Sequence, residues 1–118
     1  MLQFENIISD RGSKYSVSGA RCKSTKQAEA FLKQLKQVKK YAKATHNTWA
    51  LIGEDGPIKN DDGESGAGMI ILQMLEREQL QDHIVVVTRW YGGKHLGGDR
   101  FKHVKHAVRH YLDHLAAS

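Results

Sequence analysis

Three features of the sequence predict an α+β fold, a two-layer α/β sandwich in the order ββαβαβα. The first is Ile84-Val85-Val86-Val87, an uninterrupted β-branched run of the kind found in strands buried on both faces. The second is the alternation through residues 14–21, where Tyr15 and Val17 oppose Lys14, Ser16 and Ser18. The third is a pair of amphipathic periodicities, Ala28-Phe31-Leu32-Leu35-Val38 and Phe101-Val104-Val108-Tyr111-Leu112-Leu115, each at helical spacing.

Taken in order, residues 4–8 form a short first strand, and Ser9-Asp10-Arg11-Gly12-Ser13 turns the chain into the alternating second strand, so the two make a hairpin. Ser24 or Thr25 caps the first helix, whose remaining positions carry Lys26, Lys33, Lys36, Lys39 and Lys40. A third strand spans 45–52 and stops at Gly53-Glu54-Asp55-Gly56-Pro57, and residues 59–68 read as loop. The second helix covers 69–78 and is apolar around much of its circumference. The β-branched strand follows, then two glycine pairs and the last helix. The helices are expected on one side of the sheet, and both helical connections are long enough for strand-to-strand crossovers.

A length of 118 residues suits one domain spanning 1–118, with no repeat or linker. No apolar run approaches the roughly 20 residues that cross a bilayer, and the opening MLQFENIISD lacks a secretory pattern, so a cytoplasmic location and no membrane partner are expected. The lone Cys22 cannot form an internal disulfide, which agrees with a reducing compartment. Eighteen Lys and Arg against thirteen Asp and Glu give a formal charge of +5, a modest basic excess that favours phosphates or acidic surfaces as partners.

The stretch HIVVVTRWYGGKHLGGDR holds the main candidate surface. Glycines let backbone amides approach an anion, and a helix N-terminus adds unpaired N–H groups and partial positive charge. Arg89, Trp90, Tyr91, Lys94, His95 and Arg100 surround this loop, with Lys102, Lys105 and Arg109 on the helix beyond, a set suited to phosphates and stackable bases. The glycines Gly92, Gly93 and Gly97 match neither the P-loop nor the dinucleotide-binding pattern, and Asp99 as a cap would fill part of an anion site itself. A second cluster, Asp61, Asp62, Gly63 and Glu64, offers three carboxylates within four positions, and His46 with Asn47 heads the third strand. Together they define the rival reading, a metal-dependent phosphoester or nucleotide enzyme with His46 as acid or base. His103, His106, His110 and His114 lie on neighbouring parts of the last helix and suit a pH-sensitive basic surface better than a zinc site. No triad or nucleophile motif is present, and neither a cofactor nor a metal centre is expected.

The segments ATHNTWA, DDGESGAG and VVVTRWYGGKHLGGDRFKHV, in that order and with ISDRGS before them, resemble the IMPACT family, also called YigZ, over nearly the whole chain. The RWYGG and LGGDRFKH pieces are closer to its eukaryotic branch. Departures are Ser65, where many bacterial relatives carry proline, and Gly98, where the eukaryotic type does. The resemblance implies a fold like domain 2 of ribosomal protein S5 and a role in translation regulation and its stress response. Eukaryotic members join this domain to an RWD domain that restrains a starvation-responsive kinase, and they associate with ribosomes and actin. No catalytic activity is firmly attached to the family. The expected function is therefore a non-enzymatic domain that binds RNA or the ribosome, with the metal-dependent enzyme and a protein-interaction module as alternatives.

Overall fold

A computed structural model describes residues 1–117. Its elements are β1 (Leu2–Asp10), β2 (Ser13–Arg21), α1 (Thr25–Lys36), α2 (Lys39–Ala42), β3 (His46–Gly53), β4 (Gly56–Asn60), α3 (Ala67–Arg77), β5 (His83–Trp90) and α4 (Asp99–Ala117). The five strands make one sheet in the order β1-β2-β5-β3-β4, and every neighbouring pair is antiparallel. The α/β sandwich and the β1–β2 hairpin agree with the sequence reading.

The central strand explains the architecture. Alternate side chains of β5 leave opposite faces of the sheet. Val85 and Val87 join Tyr15, Val17, Ile71, Leu75, Val108 and Tyr111 beneath α3 and α4. Ile84 and Val86 join Phe31, Leu35, Tyr41, Trp49 and Leu51 beneath α1 and α2. Helices therefore cover both faces rather than one, which is why the β-branched run has no polar alternation.

Two elements were not legible beforehand. The helical stripe of α1 stops at Lys36 because Val38 adopts extended backbone (φ −79°, ψ 116°) and starts the separate turn α2, so Val38 is 55% exposed instead of packed. Residues 56–60 form a strand rather than loop, pairing along β3 from Gly53↔Gly56 to Trp49↔Asn60 through a two-residue turn at Glu54-Asp55. The second helix also begins two residues earlier than its apolar run, at Ala67. Ser24 is the cap of α1, its hydroxyl accepting from the Gln27 N–H.

Candidate functional site: two loops at one end of the sheet

The antiparallel register brings the end of β5 beside the starts of β2 and β3: Trp90 faces Lys14 and Arg89 faces His46. The acidic loop after β4 and the glycine loop after β5 consequently meet at this end, together with His46. All three sequence motifs converge.

The acidic loop is wired inward. Glu64 is 4% exposed, and its Oε1 accepts from Arg89 Nη1 at 2.8 Å while its Oε2 lies 3.0 Å from His46 Nε2. The other ring nitrogen of His46, Nδ1, donates to the Asp62 carbonyl at 2.8 Å. Gly63 takes a positive φ of 85° directly against this ring, where a Cβ would sit 3.2 Å from Nδ1. Asp62 accepts the Asn47 backbone N–H, and Asn47 itself is buried, bonded to the Tyr41 carbonyl and the Thr88 hydroxyl. Asp61 accepts the N–H groups of Gly66 and Gly68 at the start of α3. Burial by itself would raise the Asp61 carboxyl pKa, but these two backbone bonds outweigh it and hold the group below its ordinary value. The three carboxylates thus serve three different protein partners instead of turning toward one point, and Asp61 occupies the anion position that an α3 N-terminus offers.

Arg89 requires a correction. It is 6% exposed, enclosed by Glu64, the Ser13 hydroxyl and the rings of Tyr15 and Tyr91, and is therefore a structural cation rather than a surface phosphate contact. Strand alternation sends it to the same face as Val85 and Val87. Trp90 goes the other way: its ring packs on Tyr41, and its Nε1–H donates to the Lys40 carbonyl. Trp90 and Tyr91 therefore have separate surroundings and do not form a shared stacking platform.

The glycine loop faces outward. Tyr91 is 43% exposed beside His95, and Lys94 and His95 are both exposed. Among the described residues neither Lys94, Lys102 nor Lys105 enters an ion pair, whereas Arg109 is committed to Glu78 and Asp113. Arg100 lies over the Phe101 ring, with its Nε buried and without a hydrogen-bond partner among the described residues. Gly92 is fixed against the β1–β2 turn, donating its N–H to Ser13 Oγ, and a Cβ there would overlap the Gly12 carbonyl. Gly93 and Gly97 have positive φ and open space around them. Asp99 pairs with Arg11, Arg11 with Asp10, and Asp10 with His103, a chain that ties α4 to the hairpin turn. Arg11 and His103 hold the Asp10 carboxyl down at about 2. The histidines of α4 divide accordingly: His103 serves Asp10, while His110 and His114 stack on each other and meet the Phe4 ring edge-on and tilted, respectively.

The lysines noted on the first helix continue into a segment whose end lies beside the glycine loop, a juxtaposition that sequence spacing does not show. Residues 21–44 hold eight Lys and Arg against one Glu, more than the whole excess of the chain. Two hydrogen bonds bring the end of that segment to the loop, Trp90 Nε1 to the Lys40 carbonyl and the Tyr91 N–H to Thr45 Oγ1.

The profile of the Impact N-terminal domain matches residues 11–112, which contain both loops and every strand except β1. The chain belongs to the IMPACT family. It is 40% identical to Protein IMPACT homolog of Saccharomyces cerevisiae over 109 residues, 86% of this chain and 42% of that protein. It is likewise 40% identical to human Protein IMPACT over 111 residues, 89% of this chain and 35% of that one. This IMPACT-family chain therefore spans about two-fifths of the length of the curated relatives it matches. Among solved structures it is similar to the two-domain translational regulator Yih1, at 36% identity and TM-score 0.52 over 87% of this chain and 42% of that one. A hypothetical protein of known crystal structure shares the fold at TM-score 0.81 and 24% identity, covering 94% of this chain and 57% of its own. No helix among the described residues is long and apolar enough to cross a membrane.

Proposed function

We propose that this chain is a non-enzymatic, cytoplasmic binding domain that contacts RNA, free or within the ribosome, and through that contact modulates translation and its stress response. The observation that carries the reading is the seam between α2 and the glycine loop, where the Lys40 carbonyl and Thr45 hydroxyl bond to Trp90 and Tyr91, which brings the lysine-rich segment 39–43 to the loop that exposes Tyr91, Lys94 and His95. Lysines supply sequence-independent attraction to phosphates, and the half-exposed Tyr91 ring supplies a stacking face worth roughly 1–3 kcal/mol per base. Lys102 and Lys105 extend the charge along α4. Family membership supports a place in translation, since Yih1 is a translational regulator.

The test is fluorescence anisotropy of labelled single-stranded RNA across a salt series. Binding should weaken steeply with salt, and Lys94→Glu should lower affinity for every sequence tested while reducing the salt slope by about 1–2 ions. Lys43→Glu should do the same. Undetectable affinity at low salt overturns the proposal.

A further inference from the structure

The two faces of the sheet are not equally covered. α3 and α4, of 11 and 19 residues, roof one face; α1, of 12 residues, and the four-residue α2 roof the other. α1 lies over β5 and β3, packing on Ile84, Val86 and Leu51, and leaves a groove of about 540 Å³ between its own side and the β3–β4 hairpin. Leu32, Trp49 and Ile58 form an apolar floor, and Lys33, Lys36 and Lys59 stand around it.

We propose that this groove docks an acidic peptide segment of a partner protein, held by an apolar anchor side chain on the floor and by carboxylates against the three lysines. The rim carries the charge such a segment needs. None of Lys33, Lys36 and Lys59 has an ion-pair partner among the described residues. Two acids, Glu29 and Asp62, also line the groove, so cations outnumber anions by three to two, and Asp62 already accepts the Asn47 N–H.

The floor separates peptide from nucleic acid. Bases bind without sequence preference by stacking on open aromatic faces. Trp49 is only 7% exposed, so its ring closes the bottom of the groove and offers no face to a base, and Leu32 and Ile58 are aliphatic. Asn47 cannot read a base edge either, because its amide is already bonded to Tyr41 and Thr88. An apolar pocket with a polar, cationic rim is the anatomy of a peptide contact, in which one buried anchor supplies most of the affinity. This surface is distinct from the seam at Tyr91 and Lys94, and it does not rest on RNA binding there.

The experiment titrates two labelled peptides into the ¹⁵N-labelled chain: a glutamate-rich peptide with two leucines, and the same peptide with serine in their place. The leucine peptide should move the Trp49 indole signal and the Lys59 and Asn60 amides and leave Lys94 and His95 unmoved. Ile58→Lys should weaken it about tenfold, by removing the anchor site. Lys33→Glu with Lys36→Glu, both on the exposed side of α1, should weaken it by a similar factor with thermal unfolding unchanged, which covers the case in which Ile58→Lys does not fold. Three results overturn the proposal: equal binding of the serine peptide, shifts confined to the seam, or oligouridylate moving the Trp49 signal as the leucine peptide does. RNA affinity that responds to Lys94→Glu but not to the Lys33/Lys36 pair would leave the two surfaces separately established.

Discussion

The acidic loop and the glycine loop look alike in sequence: each holds glycines and ionisable side chains, and each runs into a helix. In the fold they are opposites. Every carboxylate of 61–64 ends on a partner inside the protein, whereas Lys94 and His95 end in solvent. The difference lies in what stands behind each loop. Arg89 is buried behind the acidic loop, and a buried cation must be matched by a buried anion or its desolvation goes uncompensated. The glycine loop rests on Gly12 and Ser13 and sends Leu96 into the core, but no buried charge claims Lys94 or His95, so those two face outward. Charge density marks a binding loop only when no opposite charge in the core has claimed it.

The largest effect that would break this contrast is at Glu64. Glu64→Ala leaves Arg89 buried without its carboxylate and should destabilise the fold by about 3–5 kcal/mol, measured by urea denaturation. Combining it with Arg89→Leu should restore part of the loss, because an apolar pair needs no counter-charge. A loss under about 0.5 kcal/mol, the scale of an ordinary surface substitution, would mean that the two loops are not different in kind.

A second comparison lies within the glycine loop. Gly92→Ala would force a Cβ into the backbone of Gly12 and Ser13, neither of which is a flexible side-chain end, and should cost about 2–3 kcal/mol. Gly93→Ala meets open space and faces only its positive φ of 93°, a cost of about 1 kcal/mol. Thermal unfolding of the two variants side by side checks the order. The anchored first glycine and the free second one then define where the rigid scaffold ends and the exposed surface begins.

How much of this could be read in advance follows from the same physics. β5 was legible because burial on both faces leaves an unbroken β-branched run, and α4 because its stripe repeats over 19 residues. β4 was not: GPIKN has a proline, one apolar residue and too few positions to show alternation. The break at Val38 was hidden because an apolar residue at helical spacing continues the pattern whether or not the backbone does. The three motifs were found and their convergence was not, since Arg89 and Glu64 are 25 positions apart and no local period links them. The one available signal was alternation within β5, which assigns Arg89 to the face of Val85 and Val87 and so into the protein.

The smallest expected effect tests whether the acidic loop is structural at Asp61 as well as at Glu64. Asp61 accepts two N–H groups at the start of α3, and its carboxyl is held below its ordinary value of 3.8. A carboxylate with a depressed folded pKa stabilises the native state above the unfolded pKa, and that contribution disappears as pH falls through the folded one. Asp61→Asn keeps an acceptor but removes the charge from the helix N-terminus, a loss of about 0.5–1 kcal/mol near neutrality. Unfolding midpoints of the two proteins should therefore differ at pH 7 and converge below about pH 4, the ordinary carboxylate range. If the gap persisted into acid, the Asp61 charge would not be what orders α3, and the carboxylate would be free to act on something outside the protein, as the rival enzymatic reading requires.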